Sequence, residues 1–271
     1  AGFYAIVQAM NLRFELAARF LSRGESLKAG EYRFKAGISE RAAISMLQFG
    51  NVVAHVVTIP EGWTSAQILA LLAAEQALEG GLKEPVGEGE ILPETYRFVR
   101  GDTRDDVVRR MRDGMNETLN NLWEQRAPDL PLKSPREALI LASIVEKETG
   151  RESERKRVAA VFINRLKRGM RLQSDPTVVY AITQGAGPLG RSLTREDLAV
   201  QSPYNTYVSE GLPPGPISNP GRASLLAVLD PAQTKEIFFV ADGTGGHAFA
   251  ENLAQHERNV ARWRALQQQK K

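Results

Sequence analysis

Apolar residues recur at helical spacing through most of the chain after residue 100. The pattern predicts four helices, over residues 102–126, 134–149, 153–169 and 221–229. The second of these has the clearest end signals. Ser134 stands as its N-cap, Pro135 and Glu137 complete a capping box, and Gly150 follows its end.

The first hundred residues alternate between short strand-like and helical patterns. A β-branched run over 52–60 predicts a strand, and a short alternating segment over 30–34 predicts another. Helices are predicted over 39–50, with Ser39 as its N-cap, and over 64–78. Strands and helices are thus mixed at close spacing in this part of the chain.

A Gly-, Pro- and Glu-rich stretch without periodicity, residues 79–90, predicts a linker between two units. Near the other end, residues 235–250 predict a β-hairpin around a glycine-rich turn. The whole pattern indicates an α+β protein. We expect a small N-terminal domain over residues 1–88 and a mostly helical domain with the hairpin over residues 89–271.

Composition narrows the class of function. The 271 residues are 42% apolar and 25% charged, and Lys plus Arg number 35 against 32 Asp plus Glu. A net charge of +3 without a basic, aromatic-interleaved stripe argues against nucleic acid as a partner. Cysteine is absent and the three histidines are widely spaced, so neither a metal site nor a cofactor is predicted. No run reaches the roughly 18 apolar residues of a membrane helix, and the opening segment 2–10 is too short for a signal peptide.

The helix over 134–149 ends in two glutamates that follow an almost wholly apolar run. Glu146 lies at helical spacing from Ala142 and Ser143, and Glu148 lies on the opposite side. Burial and the negative end of the helix dipole both raise the pKa of a carboxyl group. A glutamate that keeps its proton near neutral pH can act as a general acid. On these residues alone, two acids leaving a core helix for solvent is the more frequent arrangement.

Three proline-stiffened loops downstream concentrate short polar and aromatic groups, over residues 173–177, 202–207 and 211–220. The first also carries Asp175 before Pro176, a predicted cap and helix start. Such groups on rigid loops suit a sugar ligand, although the same residue types favour ordinary turns. The candidate substrate-binding residues are Gln173, Ser174, Asp175, Thr177, Tyr204, Asn205, Thr206, Tyr207, Ser218 and Asn219.

Several long strings in the chain together resemble the MltG/YceG-like family, the endolytic murein transglycosylases. They are VTIPEGWT (57–64), LPETYRF (92–98), ASIVEKET (142–149), VFINRLKRGMRLQSDPTVVY (161–180), YNTY (204–207), LPPGPISNPG (212–221) and FFVADGTGGHAF (238–249). Their order and spacing match from about Leu27 to Arg262. The strings are long and unusual, so the resemblance is specific.

The resemblance implies a LysM-like N-terminal subdomain followed by a catalytic domain. It implies a peptidoglycan lytic transglycosylase, a lyase that cleaves the MurNAc–GlcNAc β-1,4 bond inside glycan strands. Such an enzyme leaves 1,6-anhydro-MurNAc ends and terminates or trims nascent strands. Within the family strings, the catalytic acid matches Glu146, the first glutamate of IVEKE.

The resemblance also implies a place in the cell and partners. Family members are single-pass proteins of the inner membrane whose catalytic part faces the periplasm or cell wall. We therefore expect this chain to be a soluble truncation that lacks the N-terminal anchor. Peptidoglycan strands are the expected partner, and the resemblance suggests penicillin-binding proteins and other wall-synthesis proteins as further ones.

One carboxyl group suffices for this reaction, because the attacking C6 hydroxyl belongs to the substrate itself. Hydrogen bonds from Asn205, Gln173 or Ser174 would orient the sugar. The N-terminus of helix 221–229 would face a lactyl or peptide carboxylate. Two alternatives stay open at this point: a hydrolytic muramidase that pairs Glu146 with Asp175 or Glu148, and a non-catalytic glycan-binding scaffold of a wall-synthesis complex.

Overall fold

The computed structural model describes residues 3–5, 28 and 30–269, and its mixture of helices and strands confirms the α+β prediction. The opening segment 2–10 and the start of the family resemblance near Leu27 lie mostly outside the described residues. No described helix combines the length and the apolar character needed to cross a membrane. Within the same residues, no cluster of His, Asp and Glu side chains could hold a metal ion.

The chain forms two compact units that interleave along the sequence. The first comprises residues 1–58, 71–84 and 95–108, as far as they are described. The second comprises residues 59–70, 85–94 and 109–271. The predicted linker therefore contributes residues to both units, and the division of function at residue 88 stays a prediction.

Two antiparallel strand pairs belong to the first unit. Strand β1 (Phe3–Ala5) pairs with β2 (Tyr32–Phe34). Strand β3 (Ala54–Thr58) pairs with β4 (Thr95–Val99), and Ala54 lies opposite Val99. The structure confirms the strands predicted near residues 30–34 and 52–60, whereas no strand was predicted at β4.

Helix α1 (Glu40–Phe49) has the ends that its sequence predicts. The Ser39 hydroxyl accepts a hydrogen bond from the backbone N–H of Ala42, which satisfies one of the free donors of the first turn. Gly50 follows with a φ of 70°, a left-handed conformation that costs glycine little.

The side chain of Arg104 closes the C-terminal end of helix α2 (Ser65–Ala74). Arg104 begins helix α3 (Arg104–Glu124), and its guanidinium donates to backbone carbonyls of Leu72, Ala73, Glu75, Leu78 and Gly80. Carbonyls at a helix end have no partner within the helix, so the guanidinium replaces further turns. This explains why α2 ends four residues before its predicted end at residue 78.

Three helices form the centre of the second unit: α4 (Pro135–Glu148), α5 (Glu152–Lys167) and α7 (Arg222–Leu229). Every residue of α4 from Ala138 to Val145 is buried. Burial of so many aliphatic side chains, at about 25 cal/mol per Å² of apolar surface, is the main stabilising contribution in this unit. Helix α6 (Asp175–Thr183) packs beside α4.

The capping box predicted for α4 is present in a modified form. The Ser134 hydroxyl accepts from the backbone N–H of Glu137 at 3.2 Å. The Glu137 carboxylate reaches back to the backbone N–H of Lys133 at 2.7 Å instead of that of Ser134. Both interactions satisfy donors before the first turn, so α4 begins where the sequence predicts.

The predicted hairpin is confirmed as strands β5 (Phe238–Ala241) and β6 (His247–Ala250), which pair antiparallel. Helix α8 (Leu253–Gln269), which was not predicted, packs on both strands. The ring Nδ1 of His247 lies 2.8 Å from the Glu154 carboxylate, which also accepts from the His247 backbone N–H. His247 therefore attaches the hairpin to α5.

Candidate active site

The last turn of α4 directs its two glutamates to different partners. Since the preceding turns are wholly buried, both carboxyl groups emerge at the edge of the core rather than in open solvent. Lys147 between them is exposed, and its ammonium donates to the carbonyl oxygen of Gly62 at 3.1 Å. The surroundings of Glu146 and Glu148 decide what each can do.

Glu148, the last residue of α4, is partly buried and meets the loop that follows α5. Its carboxyl group accepts a hydrogen bond from the Ser174 hydroxyl at 2.5 Å. Burial raises the pKa of Glu148 to about 7, the Ser174 hydrogen bond opposes that rise, and the charges of Asp175 and Arg165 raise and lower it respectively. A carboxyl group with this pKa can both donate and accept a proton near neutral pH.

Ser174 is held in place by a small network of buried hydroxyl groups. Its backbone N–H donates to the Thr206 hydroxyl at 3.0 Å, and the Thr177 and Thr206 hydroxyls lie 2.8 Å apart. Gln173 just before it has a φ of 50°, which is a left-handed conformation in a residue other than glycine. Such strain of about 1 kcal/mol or more persists only where surrounding contacts enforce it. The hydroxyl that meets Glu148 is therefore rigidly placed.

Asp175 and Tyr207 form the outer edge of the same site. The Tyr207 hydroxyl donates to the Asp175 carboxylate at 2.6 Å, and burial together with this bond raises the pKa of Tyr207. The structure corrects one prediction here, because the N-cap of α6 is Ser174 and Asp175 is already helical. Ser174 has extended backbone dihedrals and uses its hydroxyl on Glu148, so Asp175 is free to take the first helical position.

Glu146 has a side chain that is only 6% exposed and meets charged and backbone donors. It accepts a hydrogen bond from the Gly221 backbone N–H at 2.9 Å, and the Arg155 guanidinium lies 3.4 Å away. The Glu61 carboxylate is 3.8 Å from the same guanidinium, and burial followed by the charge of Glu146 raises the pKa of Glu61. A Cβ atom at Gly221 would lie 1.8 Å from a Glu61 oxygen, so a larger residue there would displace the half-exposed Glu61 side chain.

This arrangement bears on the prediction that the N-terminus of α7 faces a substrate carboxylate, which stays a prediction. Gly221 is the N-cap of α7, and its N–H already donates to Glu146. A helix N-terminus favours a negative charge, and here the protein's own carboxylate supplies it. Glu146 thereby joins the end of α4 to the start of α7.

Asn205 is fully buried, and its amide group is engaged with its own loop. The amide nitrogen donates to the carbonyl oxygens of Leu198 and Val200, at 3.1 and 2.9 Å. The amide oxygen accepts from the Tyr207 backbone N–H at 2.9 Å. These bonds position Tyr207, and they occupy the groups that sequence analysis assigned to a sugar.

Ser218 and Asn219 are likewise fully buried. The Ser218 hydroxyl donates to the carbonyl oxygen of Ser143 in α4. The Asn219 side chain accepts from the Ile91 backbone N–H and donates to the Trp63 carbonyl oxygen. Both side chains therefore hold the loop before α7 against its neighbours.

The ten predicted site residues thus divide by exposure. Six are buried and hydrogen-bonded within the protein: Ser174, Thr177, Asn205, Thr206, Ser218 and Asn219. Four reach solvent, namely Gln173 and Asp175 fully and Tyr204 and Tyr207 in part. The first group shapes the site, whereas the second group can contact a ligand, and that contact stays a prediction.

A cavity of about 180 Å³ lies beside the end of α4. Lys147, Gln67, Pro176 and Tyr180 are among its lining residues. Sequence analysis did not single out Lys147 or Tyr180 as site residues, although both fall within the family strings ASIVEKET and VFINRLKRGMRLQSDPTVVY. The cavity is lined by Lys147, which stands between the two glutamates in sequence, and by Pro176, which follows Asp175, whereas the glutamates themselves are not among its lining residues.

Comparison with known proteins agrees with this architecture. Residues 5–262 match the model of the YceG-like family. A crystal structure of a YceG-like protein from Listeria monocytogenes superposes with a TM-score of 0.63 at 31% identity, covering 91% of this chain and 89% of that one. The chain therefore belongs to the YceG-like family, as the sequence resemblance predicted.

Two curated relatives are named endolytic murein transglycosylase. The Bacillus subtilis protein is 31% identical over 264 residues, which cover 85% of this chain and 71% of that protein. The Streptococcus pneumoniae serotype 2 protein is 30% identical over 287 residues, covering 87% of this chain. The chain spans about half the length of the pneumococcal relative, with 50% of it covered.

Proposed function

We propose that this chain is the catalytic part of an endolytic peptidoglycan lytic transglycosylase. Its family membership and the names of its relatives support the reaction class. The observation that carries the proposal is Glu148, a carboxyl group with a pKa of about 7 that accepts a hydrogen bond from Ser174, next to the exposed Asp175.

We assign the acid/base role to Glu148, whereas the family resemblance implied Glu146. The exposed candidate Asp175 and the partly exposed Tyr207 flank Ser174 and Glu148. Within the described part of the chain, no hydrogen bond or ion pair joins Glu146 to any of the ten candidate residues, and its surroundings include Arg155, Glu61 and Gly221. Glu146 remains the second candidate, and replacing each glutamate alone separates the two.

The reaction needs one group that first gives and then takes a proton. Protonated Glu148 donates to the oxygen of the leaving GlcNAc while the bond from that oxygen to the anomeric carbon of MurNAc breaks. The resulting carboxylate removes the proton of the MurNAc C6 hydroxyl, and that oxygen bonds to the anomeric carbon. No water is consumed, and Glu148 ends protonated as it began.

Glu146 has a positioning role in this scheme. Its carboxylate accepts a hydrogen bond from the N–H of Gly221, the N-cap of α7, and contacts the buried guanidinium of Arg155. These contacts fix the last turn of α4, and that turn carries Glu148 two residues later. Displacing a proton donor by about 1 Å is enough to cost roughly 100-fold in rate.

The test is a product assay on purified sacculi with wild type, Glu148→Gln and Glu146→Gln side by side. We expect wild type to release fragments that end in 1,6-anhydro-MurNAc, and Glu148→Gln to release none. Mass spectrometry separates these ends from reducing MurNAc ends by the mass of one water. Loss of all activity in Glu146→Gln with full activity in Glu148→Gln would reverse our assignment.

A hydrolytic muramidase is the second candidate, because the exposed Asp175 carboxylate interacts electrostatically with Glu148. Two carboxyl groups at a suitable separation are what a glycosidase uses. Reducing MurNAc ends in the same assay would favour this candidate over the lytic one. A wild-type chain that binds sacculi and releases no fragments would favour the non-catalytic scaffold.

The family resemblance also supports a proposal about location and partners. We expect the enzyme to act on the periplasmic or wall-facing side of the inner membrane, near penicillin-binding proteins and other wall-synthesis proteins. Cross-linking of the full-length protein in cells, followed by identification of the attached proteins, tests this expectation.

A further inference from the structure

A groove of about 410 Å³ on the second unit lies beyond the cavity at the end of α4. Its walls include Tyr180 and Tyr204, Asn116 and Asn120 of α3, and Arg136 of α4. The two tyrosine rings have centroids 4.8 Å apart and are tilted by 49°. The groove therefore combines aromatic surfaces with amide and guanidinium groups, which is the chemistry that suits a carbohydrate.

The hydrogen-bonding groups of these five side chains are unused by the protein. Among the described residues, none of the five side chains donates or accepts a hydrogen bond or forms an ion pair. Burial and the charge of Glu88 raise the pKa of Tyr180 to about 12, so its hydroxyl keeps the proton as a donor. By contrast, the buried candidates Asn205 and Asn219 use their amides within the protein.

Arg136 is available as a cation for a ligand in the groove, because the carboxylates in the groove walls have other partners. The two carboxylates in the walls are both engaged: Glu90 pairs with Arg112 at 2.9 Å, and Glu88 accepts from the Ser65 backbone N–H at 2.9 Å. Arg136 itself is exposed and has no carboxylate partner within the described part of the chain. A guanidinium in this position binds a carboxylate in two-pronged geometry.

Glycines stand next to both tyrosines of the groove. A Cβ atom at Gly215, a wall residue of the groove, would lie 3.0 Å from the Tyr204 hydroxyl and 3.8 Å from Arg136. A Cβ atom at Gly185 would lie 3.2 Å from the Tyr180 ring. Gly185 and Tyr180 also line the cavity beside Lys147, so the groove and that cavity meet at Tyr180.

The distance from the candidate site follows from helix geometry. Tyr180 is five residues after Asp175 on α6, which corresponds to about 7.5 Å along the helix axis. Because the cavity beside Lys147 and the groove share Tyr180, a polymer longer than this rise can contact both.

We propose that this groove is a subsite for the glycan strand away from the cleaved bond. Tyr180 and Tyr204 contact sugar rings there, and Arg136 binds a carboxylate carried by a MurNAc unit. That carboxylate is the lactyl group where the stem peptide has been removed, and a peptide carboxylate where it is present. The inference deepens the proposed function and depends on it for the identity of the polymer.

Binding measurements test the subsite without requiring turnover. The protein is the whole chain carrying Glu148→Gln, so that strands stay intact, and mass spectrometry confirms their integrity. The probes are strands of equal sugar number: peptide-bearing strands, strands stripped of peptide, and chitooligosaccharide without any carboxylate. Arg136→Gln and Tyr180→Leu are compared with Lys133→Gln, an exposed neighbour that is not among the groove residues.

We expect Arg136→Gln to weaken binding of carboxylate-bearing strands about tenfold and to leave chitooligosaccharide unaffected. Tyr180→Leu should weaken all three probes, and Lys133→Gln none. Loss confined to peptide-bearing strands identifies the peptide carboxylate, and loss on stripped strands identifies the lactyl group. Equal affinities in all variants, or an Arg136 effect that is the same on chitooligosaccharide, would overturn the proposal.

The outcome is independent of the catalytic proposal. A wild-type chain that releases no anhydro product, yet binds strands in an Arg136-dependent manner, overturns the proposed function and leaves the subsite standing. An active chain whose affinity ignores both Arg136 and Tyr180 overturns the subsite alone.

Discussion

Glu146 and Glu148 stand two residues apart at the end of α4 and meet opposite surroundings. Glu146 contacts the Arg155 guanidinium and the N–H of Gly221, the N-cap of α7. Both groups stabilise a negative charge. Glu148 meets a neutral hydroxyl and the nearby charge of Asp175, and burial raises its pKa to about 7. Glu146 thus joins two helices of the fold, whereas Glu148 is the group that we propose exchanges a proton.

Both glutamates are partly buried, so burial alone does not identify a catalytic acid. The Glu146 side chain is only 6% exposed, and it accepts from the Gly221 N–H and lies beside the Arg155 guanidinium. What distinguishes Glu148 is burial without a sufficient positive partner, since the opposing influences of Ser174 and Arg165 only partly offset it.

Turnover should separate the two glutamates most strongly. Glu148→Gln removes the transferable proton, so we expect kcat to fall by roughly 1000-fold or more on isolated strands. The kcat of Glu146→Gln should fall far less, because this substitution disturbs only the position of the last turn of α4. Glu152→Gln on the exposed start of α5 is the matched control and should match wild type. Comparable losses for both α4 variants would break the comparison.

The substitutions Glu148→Gln and Glu146→Gln should change the free energy of unfolding in opposite directions. Between the ordinary value of 4.5 and the folded value of about 7, folded Glu148 holds a proton that the unfolded chain has released, so its contribution to stability falls as pH rises. Glu148→Gln should therefore stabilise the folded chain at pH 8, by roughly 1–3 kcal/mol, with little gain at pH 4.5.

Glu146→Gln should instead destabilise the folded chain at pH 8 by roughly 1–3 kcal/mol, since the buried guanidinium of Arg155 loses a charged partner. Thermal unfolding at pH 4.5 and pH 8 measures both changes. Changes in stability of the same sign in the two variants would contradict the difference that we describe between the surroundings of Glu146 and Glu148.

The pH dependence of kcat/KM should move in two directions through the neighbours of Glu148. Ser174→Ala removes a hydrogen bond that favours the carboxylate, so the pKa of Glu148 and the alkaline limb of the profile rise. Asp175→Asn removes a negative charge that favours the neutral acid, so the limb moves to lower pH. If the alkaline limb of the kcat/KM profile moves in neither variant, Glu148 is not the proton donor.

The smallest effect is expected at Gln173, whose left-handed backbone precedes Ser174. Gln173→Gly relieves that strain and should stabilise the chain by about 0.5–1 kcal/mol. Gln184→Gly, at a similar φ of 51° after α6, is the control. If Gln173 contacts the sugar, only its variant raises KM, whereas equal kinetics in both variants would limit Gln173 to a backbone role.

Much of the fold could be predicted because its signals are local. The capping groups around Ser39 and Ser134 and the apolar spacing of α4 lie within a few residues of the elements they define. Strand β4 was missed because its five residues were read only as part of a family string, and α2 was overextended because Arg104 lies thirty residues beyond its end.

The site was only partly predictable for the same reason. Sequence spacing correctly separated the two glutamates onto different sides of α4. Their roles depend on Arg155 and Gly221, which lie nine and seventy-five residues from Glu146, and on Ser174, twenty-six residues from Glu148. Periodicity carries no information about contacts at that range, and so it cannot distinguish the surroundings of the two acids.

The glycine at 221 has a consequence for the living cell. Three segments distant in sequence meet at it, and a methyl group added there would displace the half-exposed Glu61 carboxylate from the side of Arg155. Gly221→Ala should therefore yield a mildly heat-sensitive protein that keeps the pH profile of the parent. Such a strain would let the cleavage of glycan strands be reduced by warming, with both α4 carboxyl groups still in place.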